Sequence, residues 1–165
     1  MRLFIDTREP WPHPWASHLP DVEFIREGLE TGDIALAGNP MMAVERKTVS
    51  DFMGSITAGR ERFENELRRA KHLDFFAIIV EGDLNDCIHG GMSVDSVMGT
   101  VAAFFRRRTP IIFAGSEANA ARIAFRIFDQ PTREANKLVG AVKRAEKKVV
   151  AAATIKAGAD GKPLY

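Results

Sequence analysis

The stretch "AVERKTVSD" (43–51) sets two acids and two cations beside an apolar alternation that reads as a buried strand. Strand side chains alternate between faces, so Glu45 and Lys47 share one face while Arg46 takes the other. An unpaired charge buried there costs several kcal/mol and asks for a compensating group. Asp33, early in "GDIALAG", and Asp6, at the end of "RLFID", are carboxylates that neighbouring strands would bring to the same edge. Converging acids repel unless something positive sits among them. A hard divalent cation such as Mg²⁺ (or Mn²⁺) takes few protein carboxylates, keeps several waters and bridges to phosphates. It also lowers the pKa of a bound water and stabilises charge on a phosphodiester oxygen. Lys47 would then orient or polarise the attacking water, or neutralise the phosphorane charge. Such a constellation suits hydrolysis of nucleic-acid backbones.

The elements that must position these residues alternate along the chain. "RLFID" (2–6) is a short strand, and the prolines of "REPWPHPWASHLP" forbid a regular element through most of the next segment. "VEFIREGL" (22–29), "GDIALAG" (32–38) and "MMAVERK" (41–47) read as successive strands of an antiparallel meander, with "GNP" a turn. The period then changes. "SDFMGSI" predicts a short helix capped by Ser50, and "RERFENELRRAKHL" a second with Phe63, Leu67 and Ala70 on one face. "FFAIIVEGD" (75–83) has the continuous apolar run of a strand covered on both faces. Helix 93–108, strand 110–114 and helix 116–128, with Ser116 as its cap, complete an α/β pattern with parallel pairings in its second half. The segment 131–165 reads as a basic, helix-prone extension with a loose end, leaving 1–130 as the main domain.

A chain of 165 residues with 45% hydrophobic content holds a full core, since a domain of this size buries roughly 70% of its unfolded surface. No apolar run approaches the ~20 residues of a membrane span, and "MRLFIDTREP" lacks the apolar core of a secretory signal. The expected setting is intracellular, in the cytoplasm or at the nucleoid or nucleus. Cys87 is the single cysteine, so neither an internal disulfide nor a cysteine zinc cage is available. With 23 Lys and Arg against 22 Asp and Glu, the charge balance neither demands nor excludes a polyanion, and distribution must decide.

"GDIALAGNPMMAVERKTVSD" resembles the G-D-x(n)-E-R-K-x-x-x-D signature of the XPF-type structure-specific endonucleases, with Gly32, Asp33, Glu45, Arg46, Lys47 and Asp51 matching. "FIDTRE" is similar to that family's opening strand, with Asp6, Arg8 and Glu9 in place, and "GSITAGRERFENELRRAK" and "AIIVEG" resemble the segments that follow. The similarity runs to about residue 130. It implies a restriction-endonuclease-like fold with a mixed central sheet flanked by helices. It also implies a Mg²⁺- or Mn²⁺-dependent DNA endonuclease, acting in repair, recombination or replication, and dimerisation, as homodimer or heterodimer, through the helices after the last strand. Asp33 and Glu45 would ligate the metal with Asp6 nearby, Lys47 would be catalytic, and Arg46 and Asp51 would support the site. Many family members add a tandem helix-hairpin-helix module. The residues after Pro131 are too few for two such motifs of helices averaging ~11 residues, so branch selection on flap or fork DNA falls to a partner or to the domain's own basic surface. A non-catalytic or partner-dependent scaffolding subunit is the alternative.

Other roles compete for several of these residues. Asp33 could serve the turn at "TGD", Asp51 could be a first-turn helix acid, and Arg8 could pair with Glu9 or anchor a phosphate or carboxylate. The mixed charges of 60–71 read as a solvated helix face, except Arg60, which starts the helix near the site. "RRR" at 106–108 fits a helix end or a DNA contact equally. In the tail, Lys143, Arg144, Lys147 and Lys148 could neutralise phosphates. His13, His18, His72 and His89 lack metal spacing, and "EGDLND" lacks the full pattern of a calcium loop.

Overall fold

A computed structural model describes residues 1–159. The strands are β1 (Arg2–Asp6), β2 (Glu23–Glu27), β3 (Ile34–Leu36), β4 (Asn39–Lys47), β5 (Phe75–Val80) and β6 (Ile111–Phe113). The helices are α1 (Val49–Ile56), α2 (Arg60–Ala70), α3 (Leu84–His89), α4 (Val94–Arg106) and α5 (Glu117–Ala159). The strands form one mixed sheet in the order β2-β1-β3-β4-β5-β6. The chain divides into two compact units, the first Met1–Phe128 and the second starting at Asp129.

In the first unit the sheet is covered on both faces. Leu3, Ile5, Ile34, Val44, Ala77 and Ile79 point to one layer, which Trp15 and the first turns of α5 (Ala120, Ala121, Ala124, Phe128) close. Ala35, Ala43, Phe76, Ile78 and Val80 point to the other, against Phe52, Phe63, Leu67, Val97 and Phe104 of α1, α2 and α4. β5 is therefore buried on both sides, as its unbroken apolar run requires, and it pairs in parallel with β4 and β6.

The first strands differ from a simple meander. β2 pairs in parallel with β1, not with β3, and β1 lies between them. Burial explains the order: Ile34 and Ala35 are fully buried and belong inside the sheet, whereas Glu23, Arg26 and Glu27 are exposed and belong on an edge. The proline-rich crossover contains a short 3-10 helix, Pro14–His18, which begins where a proline's missing N–H does no harm. α1 is capped by Thr48 rather than Ser50, because Thr48 is the last extended residue and its hydroxyl accepts from Asp51 N. α3, passed over in the sequence as part of a calcium-like loop, is nucleated by a capping box in which Asp83 and Asp86 each accept from the other's backbone N–H. Ser116 does cap α5, accepting from Asn119 N at 3.2 Å.

In the second unit the described residues form a continuation of α5 as one helix, with Pro131 within it. Leu138, Val139 and Val142 are exposed there. The looseness expected of the last few residues concerns 160–165, which lie outside the described residues.

Candidate active site

β4 carries the site because its alternation delivers Glu45 and Lys47 to the helix-covered face that Ala43 also faces, while Met42, Val44 and Arg46 turn to the other. Asp33 precedes β3 and is tied to β4 twice. Its backbone N–H donates to Val44 O at 3.0 Å, and its Oδ2 accepts from Arg46 N at 2.8 Å. This approach explains Gly32: at φ +85° it takes a conformation an L side chain resists, and a Cβ would meet the Ala43 Cβ at 3.1 Å and the Val44 carbonyl at 3.2 Å. Asp33, Glu45, Arg46, Lys47 and Asp51 line a cleft of about 390 Å³ together with Glu9 and Arg62.

Of the acids in this cleft, Glu45 is the poorly satisfied one. Glu45 is only 5% exposed, and its Oε2 has no hydrogen-bond partner. Burial, then the charge of Asp33, pushes its pKa well above the ordinary value, against the pull of Lys47. Burial likewise pushes Asp33 up to about 7, and Glu9 adds to the rise while the Arg46 N–H opposes it. Lys47 Nζ donates to Glu45 Oε1 at 2.8 Å and lies 4.9 Å from the Phe63 ring centre. Burial works against its charge, but Glu45, Glu66 and Asp33 together hold its pKa above the usual lysine value. It stands in the cleft as a cation and a donor.

On the opposite face Arg46 is clamped by Glu81, with Nε to Oε1 at 2.7 Å and Nη2 to Oε2 at 2.8 Å, and Trp15 Nε1 donates to the same carboxylate at 2.6 Å. This anchored pair fixes the strand whose amide holds Asp33. Thr48 and Asp51 exchange hydrogen bonds at the start of α1, so Asp51 both steadies the Thr48 cap and edges the cleft.

The other expected residues fall elsewhere. Asp6 is buried but does not line the cleft: its carboxylate accepts from Arg8 N at 2.9 Å, from Arg8 Nε, and from Leu29 N at 2.8 Å. Burial tends to raise its pKa, yet these donors hold it below the ordinary value. Arg8 is thus a carboxylate anchor. Arg60 is exposed and pairs with Glu64 at 3.3 Å. Lys143, Arg144, Lys147 and Lys148 are exposed in the second unit. Glu66 and Glu81 went unnoticed in the sequence. Glu66, half-buried one helical turn from Phe63, stands near the Glu45 carboxyl and helps to raise its pKa. It was hidden among charges that read as solvated, and its only signal was its place beside the Phe63–Leu67 stripe.

The donor set fits a hard divalent cation: two adjacent strand-held carboxylates, one with a buried oxygen that nothing satisfies, in a cleft open to water. Among the described residues no group of three His, Cys, Asp or Glu has the spacing of a closed metal cage. An open, partly hydrated ion of the Mg²⁺ kind is what two carboxylates suit.

A family model for the ERCC4 domain matches residues 5–127. The chain belongs to the ERCC4-domain family. Among solved structures, XPF from Aeropyrum pernix is similar with a TM-score of 0.68 and 27% identity, over 82% of this chain and 64% of that one. A structure described as XPF from Aeropyrum pernix in complex with DNA gives 0.65 and 26%, over 81% of this chain and 66% of that one. The chain therefore spans less than two thirds of the length of either XPF chain. No curated protein matches it. The ERCC4 domain here has the XPF-type nuclease fold, a restriction-endonuclease-like mixed sheet flanked by helices.

Proposed function

We propose that this chain is a Mg²⁺- or Mn²⁺-dependent DNA endonuclease that hydrolyses phosphodiester bonds on branched, flap or single-strand-containing DNA. The observation that carries the reading is the buried Glu45, one oxygen of which has no partner, with Asp33 and Lys47 beside it in an open cleft. Membership of the ERCC4-domain family and the likeness to XPF from Aeropyrum pernix support it.

Asp33 and Glu45 would hold the ion, with the buried Glu45 Oε2 as the donor that has nothing else to bind. When bound, the ion supplies a Lewis acid and a water of lowered pKa. Lys47, kept protonated by Glu45, is not a base; its ammonium orients a phosphate oxygen and neutralises charge as the phosphorane forms. The Arg46–Glu81 pair holds β4 in place from the far face, and Asp51 steadies α1 at the cleft rim. Asp6, fully engaged by Arg8 and Leu29, braces the loop after β1 instead of ligating. Exposed Leu138, Val139 and Val142 on α5 support a homodimer or heterodimer through that helix. A non-catalytic scaffolding subunit is disfavoured by the intact acids of the signature.

The test is cleavage of labelled single-stranded, duplex, fork and flap DNA by the purified chain with Mg²⁺ or Mn²⁺, beside Asp33→Ala and Glu45→Ala. Cutting by the wild type that both variants lose supports the reading. A folded wild type that cuts none of them refutes it for the isolated chain and favours the partner-dependent subunit.

A further inference from the structure

A groove between the C-terminal ends of α2 and α4 lies outside the cleft and carries a mainly basic rim. Its two connected hollows, about 300 and 270 Å³, are floored by Leu67 and bordered by Arg68, Lys71, Arg107 and Arg108. The carboxylates that face it are Glu64 and Asp74. Glu64 is engaged by Arg60 at 3.3 Å and by Arg107 at 3.7 Å. Among the described residues Arg68, Lys71 and Arg108 make no ion pair, and all are exposed.

Helix-end electrostatics favour Arg68, in the last turn of α2, and the C-caps Lys71 and Arg107, but do not call for Arg108. Arg107 is the residue after α4, and its guanidinium lies 5.9 Å from the Phe104 ring centre. Arg108 follows it at φ 62°, closing a Schellman turn in which Arg108 N donates to Phe105 O at 3.0 Å and Thr109 N to Phe104 O at 3.1 Å. Glycine is the favoured residue at that position, and an arginine there accepts backbone strain to place a guanidinium on the rim. α2 links this groove to the cleft: Arg62 lines the cleft and Lys71 the groove, nine residues or about 14 Å along the helix.

We propose that this groove is a second nucleic-acid contact, taking the phosphate backbone of the DNA that leads away from the cleft. The proposal rests on the endonuclease reading above and adds where the substrate is gripped. Four cations lining one groove match several successive phosphates, which advance about 3.4 Å per nucleotide along the axis of a duplex. The neutralised phosphates release counterions, so binding here is salt-dependent and independent of base sequence.

The test is fluorescence anisotropy of labelled single-stranded and duplex DNA with the full chain in EDTA, across a salt series. The double variant Arg68→Gln/Lys71→Gln is compared with Arg122→Gln/Arg126→Gln, two exposed arginines of α5 outside both sites. The groove variant is expected to bind about tenfold or more weakly, with a log K against log salt slope shallower by about 2. Its Mn²⁺-dependent hydrolysis of bis(4-nitrophenyl) phosphate, too small to span both sites, stays at the wild-type rate. Arg108→Gly separates binding from folding, since it relieves the backbone and should raise the Tm while weakening DNA binding. Wild-type affinity and slope in the groove variant, or a loss no larger than in the α5 control, would overturn the proposal and leave the nuclease reading intact. No DNA binding by the wild type would overturn it too, and hydrolysis of the small diester would then show whether the catalytic reading survives. The single-stranded and duplex arms report which form the groove takes.

Discussion

Asp6, the last residue of β1, and Asp33, just before β3, are joined by a backbone hydrogen bond from Asp6 N to Asp33 O at 2.8 Å, yet their environments drive them in opposite directions. Asp6 is 1% exposed and saturated by donors, and its pKa falls below the ordinary value. Asp33 accepts from one backbone donor, faces Glu9 and Glu45, and rises to about 7. Burial alone therefore does not mark a functional acid; a shortage of donors among like charges does. A satisfied carboxylate braces the fold, and an unsatisfied one is kept at a cost to stability for whatever it binds.

The largest expected effects break the comparison outright. Asp33→Asn or Glu45→Gln should lower metal-dependent cleavage roughly a thousandfold, since ion-assisted charge stabilisation is worth several kcal/mol. Asp33→Asn should also raise the metal-free Tm in a thermal melt, because it removes a carboxylate that repels Glu45, whereas Glu45→Gln should lower it by leaving the buried Lys47 ammonium without its charged partner. Glu81→Ala should lower stability in urea unfolding by about 3 kcal/mol, as it leaves the Arg46 guanidinium without its main partner. Asp6→Ala should cost about 2 kcal/mol through unpaired Leu29 and Arg8 amides, while the folded fraction keeps its metal affinity.

The two acids also differ in their pH response. The folded-state pKa of Asp33 lies above its unfolded value, so the native state holds a proton that the unfolded chain releases first. Metal-free stability should therefore decline as pH rises from about 4 to about 7, and Asp33→Asn should flatten that slope in melts. Asp6 acts with the other sign: its stabilisation is lost only on acidification below the ordinary carboxylate range. The smallest effect expected is that of Thr48→Ala, about 1 kcal/mol from the lost cap of α1.

Much of this was legible in the sequence, because strand alternation, glycine geometry and motif spacing are local. The alternation of "VERK" assigned Glu45 and Lys47 to one face and Arg46 to the other, and the apolar run of β5 announced a strand covered twice. What was not legible depended on distant partners. Whether β2 lies beside β1 or β3 is decided by which strand has residues worth burying inside the sheet, and whether Asp6 faces the cleft by the Arg8 and Leu29 donors that claim it. Glu66 and Glu81 gain their roles only when a helix and a strand end are packed against β4.

The most direct test of the central claim is a calorimetric Mn²⁺ titration of wild type, Glu45→Gln and Asp6→Asn at neutral pH. The expected result is one class of site in wild type and in Asp6→Asn, with affinity about tenfold or more weaker in Glu45→Gln. Equal losses in Asp6→Asn and Glu45→Gln, or undiminished binding by Glu45→Gln, would contradict it.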